Sequence, residues 1–321
     1  MKAIRVQQFG EPEVLELVEV ADLAPRPGQI LVRIQAAGVN PVETYIRSGK
    51  YARLPDLPYS PGTDGAGTVA AVGAGVADWK IGDRVYTAGS LTGTYAEQAL
   101  CEPAHLHPLP PAISFAQGAA LGIPYVTAHI ALFHRGQGRS GETLLVHGGT
   151  GGVGLAAIQI AHAAGLRVLA TGGTDAGREL VRRQGADGVF NHHAPDYTQH
   201  ILEATEGHGV DLILELLANV NLGKDLPLLA PFGRVAVVGS RGPVEINPRD
   251  LMARNADIRG VIGFGLPSEV LQETHRALVA GLEKGDLQPV IAREFPLAEA
   301  AAAHRAVMAS GAMGKIVLRF S

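Results

Sequence analysis

The segment with the clearest chemical potential is a glycine-rich loop, His147–Gly154, with the sequence HGGTGGVG. It follows an apolar run, Thr143–Val146, that predicts a strand. It precedes Leu155–Ala164, where apolar residues recur at helical spacing. The loop contains the G-x-G-x-x-G pattern in the strand–turn–helix context that a dinucleotide site requires.

The three glycines of this pattern have separate expected roles. We expect Gly149 to permit the tight turn, Gly151 to let the backbone approach a pyrophosphate, and Gly154 to let the helix pack closely. Free N–H groups and the helix dipole would then face the anion. Residues Thr150–Val153 are therefore predicted to wrap the pyrophosphate.

A second cofactor element is expected about 20 residues further on, at the end of the next strand. No carboxylate stands at the tip of that strand, and Gly173 leaves room there. Asp175 is expected to cap the following helix. Arg178, one turn into that helix, could bind a 2′-phosphate, which favours NADPH over NADH; the alternative is an ordinary solvated helix residue.

Composition describes a compact protein with two domains. The chain has 321 residues, 46% of them hydrophobic and 18% charged. A net charge of -4 argues against a general nucleic-acid surface. No apolar run reaches spanning length, and the start MKAIRV lacks a signal-peptide profile. Cys101 is the single cysteine, which excludes an internal disulfide and favours a cytoplasmic location.

Two different patterns divide the chain. Residues 1 to about 110 contain short runs rich in branched residues, punctuated by glycine and proline, with no helix-length amphipathic segment before Ser114. This spacing predicts a small barrel. From about residue 123 strands alternate with helices, which predicts a parallel, doubly wound sheet. The last segments are expected to rejoin the first domain, with an active cleft between the domains.

Motifs along the whole chain resemble the medium-chain dehydrogenase/reductase superfamily, and most closely its zinc-free, zeta-crystallin-type quinone oxidoreductase branch. The motifs are GVNPVETYIRSGKY (38–51), PGTDGAG (61–67), GDRVY (82–86), GIPYVTA (122–128), HGGTGGVGLAAIQIA (147–161), LLANVN (216–221) and VGSRGPVEINPRD (238–250). The resemblance implies an α/β protein with a GroES-like β-barrel domain and a doubly wound Rossmann domain. We place the GroES-like domain at residues 1–122 and 266–321, and the NADPH-binding domain at 123–265.

The resemblance also addresses metal binding. Zinc-dependent members carry a cysteine where this chain has Asn40, and a His-Glu pair where it has Thr63 and Asp64. The histidine pairs at 105/107 and 192/193 lack a convincing partner set. We therefore predict no bound metal. Alcohol oxidation is then disfavoured, because an alkoxide is hard to stabilise without a Lewis acid.

An acceptor that is already electrophilic, such as a quinone or an enone, needs little more than a polarised carbonyl. Asn40 and Tyr45 are the candidate polarising groups, with Tyr51 further out, and Tyr45 could donate through its phenol. Thr63 and Thr127 could hold the nicotinamide amide or line the pocket. The alternative for Tyr45 is an aromatic residue that only packs in the first domain.

The full set of expected cofactor contacts combines the residues named above with those that the resemblance implies. The implied set is Tyr45, Thr127, Thr150, Gly151, Gly152, Val153, Gly173, Arg178, His192, Asn221, Val238, Gly239, Ser240, Arg241, Ile262 and Gly263.

The function favoured by these features is NADPH-dependent reduction of small quinones, by hydride or stepwise electron transfer and without a metal. Two alternatives stay open: an NADPH-dependent enone or enal reductase, and a mainly non-catalytic NADPH-binding protein. The resemblance implies a homodimer or homotetramer, with Val261–Phe264 as the candidate edge strand. No nucleic acid or membrane partner is expected.

Overall fold

The computed structural model describes residues 1–263 and 265–320, so Phe264 of the predicted edge strand lies outside the described residues. The chain divides into two compact units. The first comprises Met1–Ile123 together with the chain from Val279 onward, and the second comprises Pro124–Leu278. The second division falls later than the predicted boundary at 265, within a long C-terminal helix.

The strands and helices are numbered in chain order. The strands are β1 (Lys2–Arg5), β2 (Glu16–Glu19), β3 (Ile30–Val39), β4 (Asp64–Val72), β5 (Arg84–Ala88), β6 (Gln98–Cys101), β7 (Leu106–Pro108), β8 (Thr143–Val146), β9 (Arg167–Thr171), β10 (Gly188–Phe190), β11 (Val210–Glu215), β12 (Leu229–Val237), β13 (Asp257–Gly260), β14 (Ile291–Pro296) and β15 (Lys315–Arg319). The α-helices are α1 (Pro41–Arg47), α2 (Phe115–Gly118), α3 (Gly122–His129), α4 (Gly152–Ala163), α5 (Asp175–Arg183), α6 (Tyr197–Ala204), α7 (Ala218–Asp225), α8 (Pro248–Met252), α9 (Ser268–Lys284) and α10 (Ala300–Met308).

The first unit is built on a seven-stranded sheet in the order β14-β15-β3-β4-β5-β7, with β6 also paired to β3. Every pairing in it is antiparallel except that of β14 with β15. Strands β1 and β2 form a separate antiparallel pair. The core of the first unit contains fully buried aliphatic side chains, among them Ile4, Ile30, Val32, Val85 and Leu318. Because β15 pairs with β3, residues 315–319 belong to the same sheet as the N-terminal part of the chain.

The second unit contains a six-stranded parallel sheet in the order β10-β9-β8-β11-β12-β13. Its core includes Leu145, Ile201, Ile213 and Val235, all fully buried. The chain moves outward from β8 in one direction through β9 and in the other through β11. The carboxyl end of β8 is therefore a topological switch point, where open α/β sheets bind ligands.

Several predicted elements agree with the structure and others need correction. Strand β8 has the predicted bounds, whereas α4 begins at Gly152, earlier than expected. Helix α1 was not predicted, because it is short and begins with Pro41. The branched residues at 14–18 predict a strand, but the structure has a 3₁₀ turn followed by β2. The run at 258–262 also predicts a strand, and that strand ends at Gly260, so Val261 lies beyond the edge strand β13.

The structure bears only partly on cellular location. Within the described ranges, no helix combines the length and apolar character needed to cross a membrane. Cys101 is a buried free thiol on β6. The cytoplasmic location stays a prediction.

Candidate active site

The glycine loop connects β8 to α4 through a tight turn, in which the Gly151 N–H donates to the Gly148 carbonyl at 3.2 Å. Gly148 has a φ of +66°, in the left-handed region that favours glycine. Its N–H donates to the Thr171 hydroxyl at 3.1 Å, and the Gly149 N–H donates to the Thr171 carbonyl at 3.0 Å. A Cβ on Gly149 would lie 3.2 Å from the Ala170 Cβ. Gly149 is therefore a central residue of the turn, as expected, and it also allows close packing on β9, while Gly148 supplies the left-handed conformation.

The start of α4 forms an anion cradle. Gly151 is its N-cap, with extended backbone and no side-chain capping bond, so the N–H groups of the first turn lack an intrahelical acceptor. A Cβ on Gly151 would meet only the Gly148 carbonyl oxygen, 3.7 Å away, whereas one on Gly154 would lie 2.4 Å from that oxygen. These residues fit a pyrophosphate: Gly154 holds the helix against the loop, and Gly151 leaves space in front of the N–H groups. The loop residues beside this space are Thr150, Gly152 and Val153.

Arg178 lies near the end of β9, as expected, but its guanidinium has a partner. Its Nη2 pairs with the exposed carboxylate of Asp175, and its Nη1 donates to the Gly172 carbonyl at 3.3 Å. The N-cap of α5 is Thr174, whose hydroxyl accepts from the Gly177 N–H at 3.1 Å. The prediction that Asp175 caps this helix was wrong, because Asp175 is its first helical residue and pairs with Arg178 instead.

His192 borders the same strand end. A Cβ on Gly173 would lie 2.9 Å from His192 Nε2 and 2.7 Å from His193 Nε2, so only glycine leaves both rings in place. The two rings are 4.4 Å apart between centroids. Burial, followed by the positive charges of His193, His147 and Arg178, lowers the pKa of His192. This group of cationic and neutral donors has the chemistry that a 2′-phosphate requires.

The later predicted contacts stand at the carboxyl ends of β11 and β12, and several are held by Glu215. Asn221 Nδ2 donates to Glu215 Oε1 at 3.3 Å. The backbone N–H groups of Val238 and Gly239 donate to the Glu215 carbonyl at 2.8 and 3.3 Å. The remaining predicted residues of this unit are exposed or half-buried: Thr127 on α3, Ser240, Arg241, Ile262 and Gly263.

Glu215 also belongs to a buried cluster with His147 and Asp225. His147 Nε2 lies 2.8 Å from Asp225 Oδ1 and 4.0 Å from Glu215 Oε2, and the three side chains are at most 3% exposed. Within the described part of the chain, this is the one group of three histidine, cysteine or acidic side chains close enough to share a metal ion.

In the first unit, Asn40 lies in a buried polar network. It is 1% exposed, its Nδ2 donates to Asp64 Oδ2 at 2.9 Å, and its Oδ1 accepts from the ammonium of Lys315. Lys315 Nζ also lies 3.5 Å from Asp64 Oδ2, and Asp64 Oδ1 accepts from the Ile123 N–H. Burial lowers the pKa of Lys315, and the carboxylates of Asp64 and Glu43 oppose that shift.

Glu43 extends this network through the sheet unit. Its carboxylate accepts from the N–H groups of Asn40 and Thr63 and, at 2.8 Å, from the Tyr95 hydroxyl. Tyr95 in turn contacts His304 Nε2 at 3.2 Å. Burial, followed by the neighbouring Asp64, raises the pKa of Glu43 to about 7. The network fixes the start of α1, which presents Tyr45.

Three predicted residues of the first unit remain partly exposed: Tyr45, Tyr51 and Thr63. Thr63 lines a cavity of about 440 Å³ whose lining is mixed: Ile46 and Leu91 are apolar, while Arg5 and Glu43 are charged. Tyr45 and Tyr51 are not among the residues that line this cavity. A larger depression of about 920 Å³, around Trp79, contains none of the predicted residues.

Sequence reasoning missed Glu43, Lys315 and Glu215. The spacing of Asn40 and Glu43 is a helix-start signature and could have revealed both α1 and the role of Glu43. Nothing local marks Lys315, because its partners are 275 and 251 residues away along the chain.

An antiparallel sheet unit together with a parallel nucleotide-binding unit defines a medium-chain dehydrogenase/reductase. Two family descriptions match the chain: "Alcohol dehydrogenase GroES-like domain" over residues 26–111 and "Zinc-binding dehydrogenase" over residues 152–280. The predicted fold class, a GroES-like domain with a Rossmann domain, is therefore confirmed.

Relatives define the family more closely. The quinone oxidoreductase of Rattus norvegicus is 52% identical over 320 residues, covering 99% of this chain and 97% of that protein. A solved quinone oxidoreductase of Escherichia coli, complexed with NADPH, superposes with a TM-score of 0.89 at 30% identity over both full chains. A solved NAD-dependent alcohol dehydrogenase gives 0.93 at 29% identity, also over both full chains. The chain belongs to the quinone oxidoreductase family, as its motifs predicted.

Proposed function

We propose that this chain is an oxidoreductase that uses NADPH to reduce small quinones. NADPH supplies the reducing equivalents, as hydride or as single electrons. The observation that carries the proposal is the open cradle at Gly151, at the uncapped start of α4 and on the same sheet edge as Arg178 and His192. The comparisons support the proposal, because the relatives that are about 50% identical in sequence are quinone oxidoreductases, and the solved E. coli enzyme is complexed with NADPH.

The second unit contributes binding and orientation. The N–H groups from Gly152 and Val153 would hold the pyrophosphate, with Thr150 beside them. Arg178 and His192 would hold the 2′-phosphate. A charge-assisted hydrogen bond of this kind is worth about 1.5–3 kcal/mol, which is enough to favour NADPH over NADH by about ten- to 150-fold.

The first unit contributes the acceptor side. Tyr45 presents a phenol that can donate to a carbonyl of the acceptor, while buried Asn40 positions the start of α1 from within the network.

The donor set of this unit favours an electrophilic acceptor over an alcohol. Zinc prefers thiolate, imidazole and carboxylate ligands. Here Asn40 offers an amide and Asp64 a carboxylate, and both side chains already contact the ammonium of Lys315. The network thus contains its own cation and leaves no set of free ligands, so the residues do not fit a catalytic zinc.

Assembly into a homo-oligomer is part of the proposal. Strand β13 is an edge of the parallel sheet, and Ile258 and the nearby Ile262 are 37% and 61% exposed. An unpaired edge with exposed apolar residues favours pairing with a second copy. Light scattering on the purified chain tests this: a homodimer or homotetramer is expected, and a monomer would contradict it.

A substrate screen tests the function. NADPH oxidation is followed with 1,4-naphthoquinone, with a 2-alkenal and without acceptor, before and after treatment with a strong chelator. We expect rapid, chelator-resistant turnover with the quinone. Faster turnover with the alkenal would favour an enal reductase. Tight NADPH binding without turnover of either acceptor would favour a non-catalytic protein.

A further inference from the structure

The cluster of His147, Glu215 and Asp225 lies directly behind the glycine loop, because His147 is the residue that follows β8. Its side chains are almost completely buried. His147 Nε2 and Asp225 Oδ1 contact each other at 2.8 Å, whereas Glu215 Oε2 and Asp225 Oδ2 lack a hydrogen bond of good geometry within the described residues. Unsatisfied buried polar groups are rare, so the cluster calls for an explanation.

Glu215 connects this cluster to the segments that face the cofactor. Its Oε1 accepts from the Leu217 N–H and from Asn221 Nδ2, and its carbonyl accepts from Val238 and Gly239. Three of the predicted cofactor contacts, Asn221, Val238 and Gly239, are thus bonded to one buried residue that contacts the loop residue His147.

We propose that Glu215 is a positioning residue of the cofactor site, and that the charge on its cluster with His147 and Asp225 sets how tightly the neighbouring loop binds a dinucleotide. This inference rests on the proposed function, since it takes the loop to be the pyrophosphate site. The Glu215 side chain acts through Asn221 and the Leu217 N–H, while its main-chain carbonyl fixes the 238–239 backbone.

The contact distances favour a charge pair over a metal ion. A cation bound by two ligands at about 2.1 Å each would normally hold them about 3–4 Å apart. His147 Nε2 and Asp225 Oδ1 are 2.8 Å apart, which is the separation of a direct ion pair. One negative charge of the cluster is therefore compensated by His147.

The titratable and charged groups around Glu215 come from several elements. They are Asp225 and Lys224 of α7, His147 after β8, Tyr197 of α6, and His192 after β10.

The charge of the cluster changes near neutral pH. Burial, followed by the Asp225 carboxylate, raises the pKa of Glu215 to about 7, while His147 opposes that shift. Burial lowers the pKa of His147, but the Asp225 contact outweighs it and the net shift is upward. Below about pH 7 Glu215 is protonated and adds no charge to the cluster. Above pH 7 it gains a negative charge behind the loop, which repels a pyrophosphate.

The experiment measures the NADPH dissociation constant by fluorescence titration from pH 6 to pH 8.5. It compares wild type, Glu215→Gln and the matched control Glu203→Gln, which alters an exposed carboxylate on α6. The ionisation of the nucleotide's own 2′-phosphate cancels in the ratio of variant to wild type. At pH 8.5, we expect wild type to bind about fivefold more weakly than Glu215→Gln, the effect of one charge across roughly 10 Å of protein. At pH 6 the two should agree within about twofold, and Glu203→Gln should follow wild type throughout.

A second variant tests the positioning role without relying on titration. Glu215→Ala removes the acceptor of Asn221, and it should bind NADPH about tenfold more weakly than wild type at pH 6. Circular dichroism confirms that each variant is folded; if Glu215→Ala does not fold, Asn221→Ala at pH 6 should show a similar weakening.

Four results would count against the inference. Parallel pH profiles of NADPH affinity for wild type and Glu215→Gln would overturn this inference but leave the proposed function intact. Unchanged NADPH affinity in folded Glu215→Ala or Asn221→Ala would do the same. One equivalent of divalent metal in wild type that is lost in Asp225→Asn would replace the ion pair with a metal site. Wild type that binds NADPH at no pH would overturn the proposed function and this inference together.

Discussion

Lys315 Nζ lies 3.5 Å from Asp64 Oδ2, and both side chains are buried in the first unit. The same ammonium contacts the amide oxygen of Asn40. Lys315, on β15, thereby supplies a positive charge beside Asn40 and Asp64. At these two positions the zinc-dependent members of the superfamily are expected to carry metal ligands.

Lys315→Met should destabilise the protein, because it leaves the Asp64 carboxylate buried and unpaired. Losing one partner of a buried pair costs about 3–5 kcal/mol. Urea unfolding at pH 7 measures the change. Lys80→Met, at an exposed lysine, should change stability by less than about 0.5 kcal/mol.

The double variant Lys315→Met/Asp64→Asn checks the cause. Removing the unpaired charge should recover more than half of the loss, since the amide that replaces the Asp64 carboxylate keeps an oxygen for the Ile123 N–H. Additive losses in the double variant would show that Lys315 acts by packing and not by charge.

The stability contribution of Glu43 should depend on pH. Its pKa is raised from an ordinary value of 4.5 to about 7, first by burial and then by Asp64. Between these values the folded protein holds a proton that the unfolded chain has lost, so this contribution falls as pH rises, by about 3 kcal/mol in total. Burial lowers the pKa of His304 to about 3 and gives an opposing slope below pH 6.5, so the measured quantity is the wild-type minus Glu43→Gln difference. A difference that is flat from pH 4.5 to 7 would contradict the assignment.

Arg178→Ala should lower the ratio of NADPH to NADH efficiency by at least about tenfold, because it removes a charged donor from the proposed 2′-phosphate site. Asp175→Ala should raise the same ratio, since it frees the guanidinium from its carboxylate partner and removes a negative charge. Arg182→Ala, at a half-exposed arginine of the same helix, is the control. Steady-state kinetics with both nucleotides measure the ratios. Equal ratios in wild type and Arg178→Ala would assign the 2′-phosphate to other residues.

Tyr45→Phe should lower kcat for quinone reduction by about ten- to 100-fold, while NADPH affinity changes little. The phenol is proposed to donate to the acceptor, and proton donation of this kind contributes about 10²–10⁴-fold in general acid catalysis. Tyr51→Phe, which removes a hydroxyl further along the same segment, should have a smaller effect. Unchanged kcat in Tyr45→Phe would leave Tyr45 a packing role only.

The cofactor-binding loop of the second unit was readable from sequence because its chemistry is local. Strand, glycine turn and helix follow one another within about 20 residues, so periodicity and glycine spacing predict β8, α4 and the open position at Gly151. The left-handed conformation of Gly148 was not predicted, because spacing alone does not determine which glycine adopts it.

The polar network of the first unit was less readable because its contacts are distant in sequence. Asn40 was identified as a site residue, but its burial depends on Asp64 and on Lys315, which lies on the last strand. The pairing of Glu215 with His147 and Asp225 likewise depends on the order of strands in the sheet. Such contacts depend on the order of the strands in each sheet, and that order cannot be read from a single sequence.

The most direct test of the cofactor site is NADPH binding by Gly151→Val, compared with the unfolding free energy of the same variant. The backbone at Gly151 is extended, and the nearest atom to an added Cβ is 3.7 Å away, so the fold should tolerate the side chain. We predict unfolding free energy within about 1 kcal/mol of wild type and NADPH affinity reduced by at least about 100-fold, because the valine occupies the pyrophosphate's place. Wild-type affinity in a folded Gly151→Val protein would contradict the central claim that the dinucleotide binds at the start of α4.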